Sequence, residues 1–157
     1  MNDRLRDMLG RARARFDVIT HPEVYTAQER AAACRITGRR LAKVVVVRDA
    51  DWFGLAVIPA PAQVDIQQLR ALTGRPQLTL AREKDFAPLF PDCDPGAMPP
   101  FGQLYGMSAF LDSSLADEPE FFFERGTHRE DVRMPMGEYL RVEAPAIAAV
   151  ATARPAA

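Results

Sequence analysis

Lysine is almost missing from this 157-residue chain: of its 20 basic residues only Lys43 and Lys84 are lysines, the rest being arginine. Cysteine is equally scarce. Cys34 and Cys93 stand alone, without the paired Cys/His spacing that builds a zinc site, so a reduced, cytoplasmic protein with no metal and no other cofactor is expected. A large excess of charge is absent too: the net charge is −1 and the pI about 6.1, which leaves nucleic-acid contact to a local patch and argues against DNA as a partner. No apolar run approaches membrane-spanning length, and Asp3, Arg4, Arg6 and Asp7 stand where a signal peptide would need an apolar core, so no membrane association is expected. What is present is ordinary globular composition, 48% hydrophobic and 26% charged, enough for one domain with a real core. The expected organisation is a single domain over residues 1–143 and a loosely held Ala/Pro-rich tail over 144–157.

Leu5, Met8, Leu9, Ala12 and Phe16 recur at helical spacing and predict an amphipathic first helix. Arg4, Arg6, Arg11, Arg13 and Arg15 fill its other face, as solvated surface or as a contact for RNA phosphates or a partner protein. Asp17–Thr20 reads as a short strand stopped by His21-Pro22. Thr26 and Glu29 have capping-box spacing and predict a second helix running to about Thr37, with Gly38 as its stop. Trp52–Ile58 is the returning arm of a hairpin, and Asp65 to Gly74 is a capped short helix. Strands are expected near 78–80, 108–111, 120–124 and 132–136, with short helices at 84–89 and 138–142.

Two stretches carry chemical interest. Leu41-Ala42-Lys43-Val44-Val45-Val46-Val47 is a β-branched run covered on both faces, and it holds one of the two lysines. Lys43 either snorkels to water from a strand end or faces an anionic or carbonyl ligand in a pocket. Pro91 to Gly106 is too rich in proline and glycine for a helix or central strand, so it is a shaped loop. Such a loop is either a rigid connector or a holder of backbone amides that another molecule can approach closely.

The Lys43 strand, the segment Gly96-Ala97-Met98-Pro99-Pro100-Phe101-Gly102 and the turn Gly126-Thr127-His128 come in an order that resembles the YbaK/prolyl-tRNA-synthetase-associated domain family, over about Phe16 to Val142. The resemblance implies an α+β (mixed α/β) fold, a strongly curved mixed sheet flanked by helices. It implies an aminoacyl-tRNA deacylase that edits in trans, with the acceptor end of aminoacyl-tRNA as partner and a synthetase as a second. Lys43 matches the family's pocket lysine, Gly96 and Pro100 the ends of its Gly-x-x-x-Pro loop, Gly126 the facing glycine turn, and Tyr25 and His128 the pocket wall. Where several members carry a small polar residue after the lysine, this chain has Val44, which leaves alanine, serine, threonine, cysteine or an analogue as the amino acid removed.

Ester hydrolysis needs an activated water and donors for the developing oxyanion. Under this resemblance Lys43 and the amides of Gly96, Ala97 and Met98 are the catalytic candidates, and Tyr25, Val44, Pro100, Gly126 and His128 the substrate-binding ones. The general base is His128 or a ribose hydroxyl of the substrate. Cys34 and Cys93 lack a His or Asp partner in the sequence pattern, which argues against a thiolate mechanism. A non-catalytic module that grips the tRNA acceptor end or docks on a synthetase would use the same pocket.

Overall fold

The apolar stripe of the first segment folds as α1 (Asp3–Arg11), burying Leu5 and Leu9, in a computed structural model that describes residues 3–152. After β1 (Asp17–Thr20), α2 (Ala27–Cys34) starts at the expected capping box: the Glu29 N–H donates to Thr26 Oγ1 at 3.0 Å and the Thr26 N–H to Glu29 Oε1 at 3.3 Å. The helix ends earlier than its sequence suggests. Arg35 takes the left-handed conformation (φ 57) and the Ile36 N–H folds back to the Ala31 carbonyl at 3.0 Å, drawing Ile36 onto the cluster of Cys34, Leu41 and Phe122. Gly38 opens a 3-10 turn instead of stopping the helix.

β2 (Ala42–Asp49) and β3 (Trp52–Pro59) form the hairpin, antiparallel from Ala42↔Pro59 to Asp49↔Trp52, with Ala50 at φ 51 in its two-residue turn. The valine run is covered on both sides, Val47 by Ile58, Leu69 and Leu78 and Val46 by Leu55, Phe90 and Met98. β4 (Gln63–Val64) leads into α3 (Ile66–Thr73), which Asp65 caps and left-handed Gly74 ends, as the sequence indicates. β5 (Thr79–Leu80) and α4 (Glu83–Phe86) precede the long loop. Beyond it come β6 (Ser108–Asp112), α5 (Ser113–Ala116), β7 (Glu120–Glu124), β8 (Glu130–Pro135) and α6 (Met136–Glu143).

Residues 144–152 are not the loosely held tail expected of an Ala/Pro-rich end. They supply β9 (Ala146–Ala148), parallel to β6, and β10 (Ala151–Thr152), antiparallel to β4. Both Asp112 carboxylate oxygens are used here: Oδ1 accepts the Val150 and Ala151 N–H groups at 2.9 and 3.0 Å, and Oδ2 caps α5. The remainder of the supposed tail, 153–157, lies outside the described residues.

The result is a mixed α+β fold. A five-stranded sheet in the order β5-β2-β3-β6-β9 contains both antiparallel and parallel pairs, and a three-stranded antiparallel sheet runs β1-β8-β7. The two meet through a parallel bridge between Leu41 and Phe122. The main core lies where α1 and α6 cover the smaller sheet, with Leu5, Leu9, Phe101, Phe121, Phe123 and Tyr139 fully buried. Among the described residues no helix is long and apolar enough to cross a membrane.

Candidate active site

Where β2 begins and β7 ends, the junction of the two sheets leaves a cleft of about 300 Å3, walled by Tyr25, Arg30, Lys43, Gly96, Glu124 and His128 among others. Each wall residue has a separate support. Arg30 projects from α2, Lys43 from the start of β2, Glu124 from the last residue of β7, and Gly96 from the proline-rich loop. A larger cleft of about 390 Å3 beside β10 is lined half by proline and alanine and half by Arg39, Asp112, Ser113, Ser114 and Thr152, but its one carboxylate, Asp112, is committed to backbone amides and Arg39 is paired with Glu118. The smaller cleft is therefore the one with groups able to do chemistry.

Behind it lies a buried ion network. Arg30, with its side chain 6% exposed, meets Asp131 at 2.6 Å and Glu124 at 3.4 Å and donates to the Ala42 carbonyl at 3.2 Å. Glu124 and Asp131 face each other across the β7/β8 ladder. His21 holds Asp131 from the far side at 2.8 Å. Burial pushes the Glu124 carboxyl above the usual range, and Asp131 adds to this, while Arg30 and His128 pull the other way. His21, Cys34 and Asp131 also bring ligand-type atoms within 4.8 Å of one another, but the Arg30 guanidinium already supplies the cation that Asp131 needs.

The loop is fastened to the glycine turn by paired backbone bonds. The Asp94 N–H donates to the Gly126 carbonyl and the Gly126 N–H to the Ala97 carbonyl, both at 2.8 Å. Gly96 (φ 84) and Gly126 (φ 109) occupy backbone conformations that L side chains rarely adopt. Further along, the buried Tyr139 hydroxyl donates to the Pro100 carbonyl at 2.7 Å, and the Gly102 N–H donates to Glu143 at 3.1 Å.

Of the residues singled out from sequence, Lys43, Tyr25, Gly96 and His128 meet at this cleft. Gly126 faces the loop as its clamp. Ala97, Met98 and Pro100 are the buried part of the loop itself, and Val44 packs with the Met98 cluster. The Ala97 N–H donates to the Asp94 carbonyl at 3.0 Å, which removes it from the oxyanion donors. His128 is corrected as a general base as well: Nδ1 sits 2.8 Å from Glu124 and Nε2 3.1 Å from the Pro95 carbonyl, so neither ring nitrogen is open to a water. The expected lack of a His or Asp partner does not hold for Cys34, which groups with His21 and Asp131, and the argument against a thiolate there stands on burial instead, because desolvation and Asp131 push the thiol up to about 12. Arg30, Glu124, Asp131 and His21 are what sequence reasoning missed. The one local signal was Glu124 placed four residues before His128.

A family model for the aminoacyl-tRNA editing domain matches residues 21–142. The fold is also that of several solved structures. A proposed trans-editing enzyme for prolyl tRNA synthetase superposes with TM-score 0.84 at 23% identity, over 97% of each chain. A hypothetical protein gives 0.86 at 18% identity over 95% of this chain and 99% of its own. A proposed signal transduction protein from Marinobacter aquaeolei VT8 gives 0.77 at 16% identity over 98% of this chain, which spans 31% of that longer protein. No curated protein matches the sequence. At these identities the structural likeness speaks for the fold alone.

Proposed function

The chain belongs to the aminoacyl-tRNA editing domain family, and from that premise we propose that it is a deacylase hydrolysing the ester between a mischarged small amino acid and tRNA, acting in trans. The observation that carries this reading is the convergence of Lys43 and Gly96, far apart in sequence, on one cleft. Its size supports a small aminoacyl group such as alanine, serine, threonine or cysteine, since about 300 Å3 is the lower end of ligand pockets. A synthetase as partner is carried over from the structural neighbour described as a trans-editing enzyme for prolyl tRNA synthetase.

In this scheme the Lys43 ammonium draws electron density from the ester carbonyl, and the Gly96 N–H receives the oxyanion as water adds to the carbonyl carbon. Collapse of the tetrahedral intermediate returns the electron pair to the carbonyl and expels the ribose oxygen, which takes up the proton released by the attacking water as the amino acid leaves. With His128 bonded at both ring nitrogens, a ribose hydroxyl of the terminal nucleotide positions the water. Exposed Tyr25, beside His128 at 5.5 Å between ring centroids, forms the outer wall where the acceptor end enters.

The test is a panel of purified aminoacyl-tRNAs assayed for release of the amino acid. Turnover of at least one small-residue ester, abolished in folded Lys43→Ala, supports the deacylase. Tight binding of the acceptor end with no release from any member would make the domain a binding module and overturn the enzymatic reading.

A further inference from the structure

Two backbone carbonyls stand at the ends of a continuous chain of polar side-chain contacts, and each belongs to the residue just before a candidate catalytic group. The Ala42 carbonyl, preceding Lys43, accepts from Arg30 Nη1 at 3.2 Å. The same nitrogen is 3.4 Å from Glu124 Oε1. Glu124 Oε2 is 2.8 Å from His128 Nδ1, and His128 Nε2 is 3.1 Å from the carbonyl of Pro95, which precedes Gly96. We propose that Arg30, Glu124 and His128 form a positioning relay that sets the separation of Lys43 from the Gly96 loop across the cleft; the inference rests on the deacylase reading above.

Charge balance alone does not account for the arrangement. Arg30 already has a fully buried partner in Asp131 at 2.6 Å, so Glu124 is a second carboxylate brought out of water beside one guanidinium. A buried ion pair is a poor source of stability, and an additional buried acid is poorer still. What Glu124 gains by its place is reach: among the described residues it bonds both to Arg30, anchored to β2, and to His128, anchored to the loop. The loop has need of such a link. It has no strand ladder of its own near Gly96: its backbone bonds there run to Gly126 beside the smaller sheet, and against the larger sheet, where Lys43 stands, it is seated by the non-directional apolar packing of Met98 with Val46 and Leu55. The His128 ring also lies beside Gly96, with Cε1 at an ordinary van der Waals distance, 3.7 Å, from the position a Cβ would take there. The three side chains are largely withdrawn from solvent, Arg30, Glu124 and His128 being 6%, 8% and 19% exposed, so their geometry is fixed by packing before substrate arrives.

A relay of this kind acts on rate more than on affinity, because displacement of a reacting group by about 1 Å costs on the order of a hundredfold in turnover. Glu124→Leu and His128→Leu each remove one member of the relay, with the bonds on either side of it, and leave Arg30 paired with Asp131. The expected result is a fall of about ten- to a hundredfold in single-turnover hydrolysis, with Kd for a non-hydrolysable aminoacyl-tRNA analogue changed by less than about threefold. The double variant should be no slower than the slower single variant, and His128→Gln, which keeps an N–H for the Pro95 carbonyl, should recover part of the rate. Losses that multiply in the double variant, or weakened binding at unchanged rate, would overturn the relay. Should Glu124→Leu fail to fold, Glu124→Gln completes the same cycle. If the wild type releases no amino acid from any member of the panel, the deacylase reading fails on its own. The relay is then judged by backbone amide chemical shifts: His128→Leu moves the Lys43 resonance together with that of Gly96 if the linkage is real, and Gly96 alone if His128 merely props the loop, which rejects it.

Discussion

The two arms of the candidate site are built in opposite ways. Lys43 stands on β2, which is paired with β3 along its whole length and with β5 at its far end. Gly96 stands on a loop held by a few individual bonds: two backbone bonds to Gly126, one to His128, and anchors at Pro100 and Gly102. Removing one side chain from a ladder strand leaves its backbone bonds in place, whereas a change in the loop can redirect the amides themselves. Substitutions on the strand arm should therefore report on a side chain's chemistry, and those on the loop arm on geometry.

The sharpest break is Lys43→Ala. With β2 intact by circular dichroism, hydrolysis should fall on the order of a thousandfold, in line with removal of a strong electrostatic partner from a transition state. Near-full activity in the folded variant would reject the assignment. On the other arm, Gly96→Ala places a Cβ at φ 84 and distorts the donor, so single-turnover rate should drop about a hundredfold while analogue binding changes much less. The reverse split would leave the loop as a recognition wall.

A third change probes the far anchor of the same loop. Burial pushes the Glu143 carboxyl up to about 7, although it accepts from the Gly102 N–H, and its other oxygen is buried without a partner. Because the folded-state pKa is raised, the stability linked to this group is fully present below the unfolded value of about 4.3 and is lost as pH rises through about 7. Glu143→Gln keeps an acceptor for Gly102 and should be more stable than the wild type by about 1–2 kcal/mol at pH 8, with the gap closing below pH 5. Urea unfolding at the two pH values checks it, and equal stability at both would place the ionised carboxylate in a better-solvated site than its burial indicates.

The smallest effect is expected at the surface. Arg39 and Arg40 are each 3.3 Å from Glu118, so Gln at these positions should change tRNA affinity less than Gln at exposed Arg11 and Arg15. Each arginine that neutralises a phosphate steepens the salt dependence of binding by about one unit of slope, so its replacement should flatten the dependence by that amount. Unchanged affinity and slope in the Arg11→Gln/Arg15→Gln protein would leave those arginines as solvated surface.

What could be read in advance divides along the same line. The α2 capping box, the β2/β3 hairpin and the Asp65 to Gly74 helix are written in neighbouring residues, and they appear where the sequence places them. The end of α2 is not legible in the sequence because a left-handed arginine has no sequence signature, while Gly38 has the character of a stop. β9 and β10 leave no sequence signal because alanine carries no strand preference and both pair with partners far away. In the site, Lys43 and Gly96 were visible as an odd residue in a run and a breaker in a loop. Arg30 was not, since its partner Asp131 lies 101 residues away and an arginine in an alanine-rich helix looks like surface.

The way Asp112 grips the chain after α6 bears on how the protein can be handled. A truncation after Ala144 would strip β9 from β6, opening the hydrogen-bonding edge of a strand that carries Phe110 and Leu111. It would also deprive a carboxylate only 5% exposed of two of its donors. A fusion partner or immobilising tag therefore belongs beyond Thr152, and a shortened version ending at α6 should be handled as an aggregation-prone fragment.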